Sequence, residues 1–551
     1  MPEQAERVRA NSRIRFRHPL AFWSAALCCT IGVLLHLPMY YDARSMGYKM
    51  AGMTPDPAML IGMALIVIGL AVAVYALLPG RAGEISRQAS NIRVAALDDA
   101  PIRRQHVLLL IVMAIAITID VMKPITLSFV APGVAAEYGL RPANPHGSLP
   151  VAWLPFFGIA GTVLGSWVWG SLGDRIGRRA SILLAGLMFT TTSICGAMPG
   201  FSWNLLMCFL MGIGVGGLFP VGFTLLAETI PAKHRGWLMI LIGGNAALAY
   251  VVTSWLAATL TPTYSWRILW LIGLPTGLLL IALNRWIPES PRFLLARGER
   301  AAAEEIMAYY GAAVTDPGAE PETEPAAPAP GARRGGLADL LRRPLLGPTA
   351  AITVLAVGVG LVTYGFQLWI PTNLQKLGYS AVSSDYVVRN AAVIGLPFTL
   401  LLAWMYGSWG PRRTVVVSSL ATAAALVAFI AEGNGIAHHR ELLSILLVIP
   451  LSAVSTIAAV VAGYAAEIYP TAIRSRGTGW AAGMTKAGGL LILGVAVSAK
   501  TVPSISATAW LGIIPLAVAV LAFLLPGPET RRRPLEEISP AQGRPAGEAA
   551  S

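Results

Sequence analysis

Asp120, Lys123 and Lys486 are ionisable residues set inside apolar runs, each run long enough to cross a bilayer. A charge at the centre of a spanning helix costs about 2.5 to 3.5 kcal/mol on insertion scales, so groups retained there are expected to act on an ion or a substrate. Asp120 and Lys123 are three residues apart and share a helix face. In that position the carboxyl can exchange a proton, while Lys123 and Lys486 can together bind an anionic group. The competing reading is a neutralised Asp120–Lys123 pair that only pins helix packing. Asn245, Tyr364 and Gln367, with Thr253 and Thr485, add uncharged hydrogen-bonding groups in spanning runs. Where such groups merely bond between helices they contribute about 0.6 kcal/mol on average.

The remaining chemistry of the chain excludes other classes. No Ser-His-Asp, metal-ligand or phosphate-loop pattern occurs, so neither an enzyme, a cofactor nor a metal is expected. Gly212, Gly214, Gly216 and Gly217 lack the preceding strand of a nucleotide turn and fit close helix packing better. The four cysteines, Cys28, Cys29, Cys195 and Cys208, all fall in apolar windows and read as small core residues.

The elements that position these groups are helices in a membrane. Hydrophobic residues make up 55% of the chain and charged residues 13%, about half the roughly 25% of a soluble domain. About fourteen windows of the roughly 20 apolar residues a span requires can be placed. An N-terminal segment rich in arginine leads to two of them, Phe22 to Met39 and Met59 to Leu78, which form an extra hairpin within residues 1–104. Residues 105–287 hold a first block of six: Val107 to Val130, Val151 to Ser171, Ser181 to Met198, Trp203 to Ala227, Trp237 to Leu260 and Trp266 to Trp286. Residues 288–347 form a loop with a surface helix over Glu299 to Tyr310, then a Pro, Glu and Ala-rich stretch from Asp316 to Gly336 expected to be disordered. A second block of six follows within residues 348–526: Thr349 to Leu374, Tyr386 to Tyr406, Thr414 to Ala431, Leu442 to Ala466, Trp480 to Val497 and Ala507 to Leu525. A basic tail occupies residues 527–551. The net charge of +13 does not point to nucleic acid, because the basic residues gather in short loops of one parity. That is the positive-inside pattern of a multi-pass plasma-membrane protein with both termini in the cytoplasm.

Two loop patterns carry further information. The decapeptide Gly170-Ser-Leu-Gly-Asp174-Arg175-Ile-Gly177-Arg178-Arg179 separates two spanning runs. Glu228-Thr-Ile-Pro231-Ala-Lys-His-Arg235 in the first block matches Glu467-Ile-Tyr-Pro470-Thr-Ala-Ile-Arg474 in the second, which signals duplication. Gly407-Ser-Trp-Gly410-Pro-Arg412-Arg413 is a degenerate counterpart of the decapeptide, without its aspartate.

These motifs resemble the major facilitator superfamily over roughly the last four-fifths of the chain, an extent set by the helix windows. The resemblance implies an all-α fold of two six-helix bundles, here with the additional hairpin, that rock about a central site. It implies that Asp174, Arg175, Arg178, Arg179, Glu228, Arg235, Glu467 and Arg474, with Gly170 and Gly177, form a cytoplasmic latch rather than a substrate site. Pro288-Glu-Ser-Pro-Arg292 and Trp266-Arg267 look like the sugar-porter and metabolite:proton-symporter branches. Asp120-Val-Met-Lys123 followed by Phe129-Val-Ala-Pro132 resembles the aromatic-acid symporters, with a lysine in place of their second carboxylate. Lys486 stands where those symporters carry an arginine. Cys208 replaces an arginine implicated in their proton transfer, and Lys123 is expected to supply the missing charge. Tyr364-Gly-Phe-Gln367-Leu-Trp369 lacks the paired glutamines of sugar porters, which counts against a hexose.

The expectation is a monomeric secondary transporter of a small organic metabolite, a carboxylate, by proton symport. The alternatives are a sugar-like or neutral solute, an efflux carrier, or a receptor or scaffold that keeps the fold without transport. The charge pattern makes a first prediction: fluorescent-protein fusions at either terminus are expected to fluoresce, whereas alkaline-phosphatase fusions there are expected to stay inactive. The converse would invert every loop.

Overall fold

The computed structural model describes residues 18–78, 95–141, 146–147, 149–312, 340–342, 345–433, 435, 439–470, 473–499 and 505–524. The Pro, Glu and Ala-rich stretch, the arginine-rich start and the basic tail lie outside them. Among the described residues, 13 helical segments are long and apolar enough to cross a membrane. In chain order they are α1 Pro19–Met46, α2 Pro57–Leu77, α3 Arg104–Glu137, α4 Trp153–Ile176, α5 Arg178–Ala197, α6 Phe201–Thr229, α7 Ala232–Tyr264, α8 Ile268–Trp286, α9 Leu346–Lys376, α10 Ala381–Trp409, α11 Pro411–Glu432, α12 Glu441–Ile468 and α13 Arg474–Ser498. A 20-residue helix, α14 Ile505–Leu524, follows. Helices α3 to α8 and α9 to α14 are the two six-helix bundles, and α1 and α2 pair as a hairpin against α5.

Local chemistry explains where the spans start, stop and bend. Pro57 opens α2 behind Asp56, whose side chain accepts from the Ala58 amide at 3.1 Å. Helix α3 outruns its apolar window: it continues through Pro124 and Pro132 to Glu137. A proline forfeits one helical hydrogen bond, a loss that neighbouring helices can absorb in a bundle. The turns from α4 to α5 and from α10 to α11 pivot on Gly177 (φ +98°) and Gly410 (φ +86°), left-handed conformations that a side chain would strain. The degenerate loop therefore keeps a glycine pivot like that of its counterpart although it has lost the aspartate.

The two bundles meet along α4 and α13 and along α7 and α10. Gly170 permits the first contact, since a Cβ there would come within 2.6 Å of the Ser475 carbonyl oxygen. We call the end of the molecule that carries Gly170 and the decapeptide the motif end. Helices Pro291–Ala296 and Arg300–Tyr310 lie at that end and pack on each other. The surface helix thus begins within one residue of its expected start.

At the far end a carboxylate helps fasten the hairpin to the first bundle. Glu137 Oε1 accepts from the amides of Met50 (2.8 Å) and Ala51 (3.0 Å) in the hairpin loop and from Arg267 (2.7 Å), while Oε2 accepts from the Trp266 indole at 2.8 Å. Arg267 is fully buried and also donates to the Tyr138 hydroxyl at 2.8 Å. Glu137→Ala is therefore expected to destabilise the protein by about 3 kcal/mol or more, the scale for stranding one partner of a buried pair. Thermal unfolding in detergent checks this, and an unchanged midpoint would contradict it.

Candidate functional site

A cavity lies between the bundles, with about 120 Å³ open to water centres. One water needs roughly 10–15 Å³ of such space, so the cavity has room for several waters or a small solute. Its walls are mostly apolar, with few charges. Helix α3 contributes Asp120, α7 Tyr250, α9 Tyr364 and Gln367, and α13 Lys486.

Asp120 is 3% exposed, and its Oδ1 makes no hydrogen bond among the described residues. What stands against it is a half-helix. Span α6 breaks at Gly216 and Gly217 into Phe201–Val215 and Leu218–Thr229, and the new N-terminus brings the Phe219 amide up to the carboxyl. A helix N-terminus inside a span carries unpaired N–H groups and the positive end of the dipole. The charged side chain acting on Asp120 is Lys486. Its ammonium lies 5.7 Å from the Tyr364 ring centroid, and among the described residues no ion-pair contact joins it to Asp120. The cavity thus holds one carboxyl and one amine from opposite bundles, with no ion pair between them among the described residues.

The structure brings together only some of the sequence candidates. Asp120, Lys486, Tyr364 and Gln367 line one cavity, although Gln367 Nε2 is already committed to the Pro450 carbonyl at 2.7 Å. Lys123 is not among the lining residues. Three helical residues turn 300°, so it points about 60° away from Asp120, into the first bundle. There its ammonium stands 5.8 Å and 5.9 Å from the rings of Phe189 and Trp270, within electrostatic reach of Cys195 and Cys208. Neither the joint anion site nor the neutralised pair describes it. Asn245 also lies outside the cavity lining: at the break in α7 it donates to the Ala114 carbonyl (3.1 Å) and Thr118 (2.5 Å), tying α7 to α3. Tyr250, Phe219 and Ser128 line the cavity without having been singled out by sequence. The adjacent glycines of α6 were the available signal, and they break the helix rather than only packing it.

The latch candidates cluster at the motif end. Glu228 pairs with Arg474 at 3.2 Å, and Arg235 pairs with Glu467 at 3.3 Å. Each glutamate of the duplicated motif thus takes the arginine of the other copy, so two bridges cross between the bundles. Glu228 also pairs with Arg178 at 3.2 Å, and Asp174 lies between Arg178 (3.4 Å) and Arg476 (4.0 Å). Arg175 is exposed, Arg179 reaches Asn284 at 3.4 Å, and Arg178 makes buried ion pairs with Asp174 and Glu228. Glu289 joins them by accepting the amides of Arg178 (2.9 Å) and Arg179 (3.2 Å) at the start of α5. Burial pushes its carboxyl above the usual range, opposed by the amides of Ser290, Arg178 and Arg179 and by the Arg178 charge.

The sequence model of the family described as "Sugar (and other) transporter" matches residues 136–541. The chain belongs to that family. It is 26% identical over 459 residues to the niacin transporter NiaP of Acinetobacter baylyi, covering 81% of this chain and 99% of that protein. It is 24% identical over 458 residues to the 4-hydroxybenzoate transporter PcaK of the same organism, covering 80% and 96%. In fold it is similar to the major facilitator superfamily proton:xylose symporter XylE of E. coli, with a TM-score of 0.63 at 19% identity over 79% of this chain and 98% of that one. The protein is thus a membrane transporter of the major facilitator type and not an enzyme.

The crossed bridges predict a charge-swap result. Glu228→Gln removes the counter-charge of two buried arginines and is expected to cost about 3 kcal/mol or more in thermal unfolding. Glu228→Arg combined with Arg474→Glu should recover part of what either substitution loses alone. No recovery would show that the bridge does not carry the contact.

Proposed function

We propose that the protein carries a small aromatic monocarboxylate together with a proton, by alternating access of its two bundles around the central cavity. It acts as a monomer in the plasma membrane, with both termini in the cytoplasm. The observation that carries this reading is the opposition of Asp120 and Lys486 across the cavity. Niacin and 4-hydroxybenzoate, the solutes named for two relatives, are both single-ring monocarboxylates, and this supports the same substrate class.

The charges account for coupling. In the empty cavity the Lys486 ammonium is balanced by Asp120. An entering carboxylate takes Lys486, leaving two anions to one cation in a poorly hydrated space, and a proton on Asp120 restores neutrality. The empty cavity and the one holding both carboxylate and proton are neutral and can close, whereas a cavity holding the carboxylate alone would close around an unbalanced buried charge. Tyr364 and Phe219 line the cavity and bring aromatic surface to the ring of the substrate. A neutral sugar would leave Asp120 and Lys486 to balance one another and would need no proton on this account.

Proteoliposomes test the proposal. With an inside-alkaline gradient, labelled nicotinate or 4-hydroxybenzoate is expected to accumulate above the level of protein-free liposomes, which controls for passive diffusion of the weak acid. Asp120→Asn is expected to abolish gradient-driven accumulation while retaining exchange at equal pH. Lys486→Ala should lose both, by tenfold or more. Accumulation indifferent to the gradient removes the proton, and preference for xylose or hexose removes the carboxylate.

A further inference from the structure

One residue in the motif-end network comes from neither bundle. Asp98 closes the short helix Ala95–Asp98 in the segment that joins the hairpin to α3. It is 5% exposed, and its Oδ1 lies 2.8 Å from Arg235, nearer than the 3.3 Å between Arg235 and Glu467. Its Oδ2 lies 3.6 Å from Arg292, in the loop after α8. Arg235 is 1% exposed and so holds two carboxylates at once. One is carried on its own side of the molecule and the other by the opposite bundle.

The two carboxylates have opposite consequences when the bundles part at this end. Glu467 leaves with the second bundle. Asp98 precedes α3 in the chain and is held by residues of the first bundle, so it stays with Arg235. Separating a buried guanidinium from a carboxylate makes opening costly, and the cost is smaller where a second carboxylate stays beside it. Asp98 also shares the Arg235 charge in the closed state, which weakens the hold of Glu467. We propose that Asp98 is a release partner for Arg235: a positioning residue, supplied by the hairpin connection, that favours opening of the latch and thereby sets how readily the cavity reaches the motif-end face.

The proposal rests on alternating access, and its sign is unusual. Removing a latch bridge should open the gate, but removing Asp98 should hold it shut. The test places a reporter Ala458→Cys in the cavity of the full-length protein with Cys28, Cys29, Cys195 and Cys208 changed to serine, and measures its rate of labelling by an impermeant maleimide from each membrane face. Asp98→Asn is expected to slow labelling from the motif-end face by about fivefold, the low end for coupled sites. Glu467→Gln should speed it, and Asp98→Glu should leave it near the unsubstituted rate. Asp98→Ser replaces the asparagine variant if that one does not accumulate. Faster or unchanged labelling with Asp98→Asn or Asp98→Ser overturns the proposal. Because labelling needs no substrate, its outcome stands apart from whether a carboxylate is transported.

Discussion

A buried guanidinium has to be matched, and much of this molecule is arranged around that demand. Arg235, Arg267 and Arg474 rank among the largest side chains with less than 2% exposure. Each is held by carboxylates: Arg235 by Asp98 and Glu467, Arg267 by Glu137, Arg474 by Glu228. In a medium where unpaired charge is expensive, these pairs are better understood as specifying which surfaces meet than as adding net stability. The crossed bridges between the duplicated motifs make the two bundles meet in one register. The Glu137 cluster does the same for the hairpin.

The centre of the molecule follows the opposite rule. Asp120 and Lys486 are near enough to interact, but neither is consumed by an ion pair, and a broken helix supplies backbone N–H groups beside the acid. Charged groups are thus paired at the ends, whereas Asp120 and Lys486 line the central cavity without an ion pair between them. Lys123 belongs to neither group, since its ammonium sits within aromatic rings inside one bundle.

The hairpin takes part at both ends. Its loop donates two amides to Glu137, and the connection that follows it delivers Asp98 to Arg235. It is therefore fastened to the first bundle and is chemically continuous with the motif-end network, more than a membrane anchor placed beside a transporter.

The architecture was legible in sequence because bilayer thickness fixes the length of an apolar run, and the spans fall where the windows lie. The duplicated Glu-x-x-Pro-x-x-x-Arg motif announced the symmetry, and the resemblance it supported is matched by the family to which the chain belongs. Individual contacts were not legible, because sequence spacing gives the face of a helix but not what that face meets. Asp120 and Lys123 are three positions apart, yet the 60° between them puts one in the cavity and the other in a bundle interior. Asn245 reads as one of the weaker uncharged candidates for a substrate contact and is used to join α7 to α3. Asp98 and Glu137 carry no motif at all. Their meaning arises only when folding sets an arginine remote in sequence against each carboxylate, a pairing that tertiary structure alone decides.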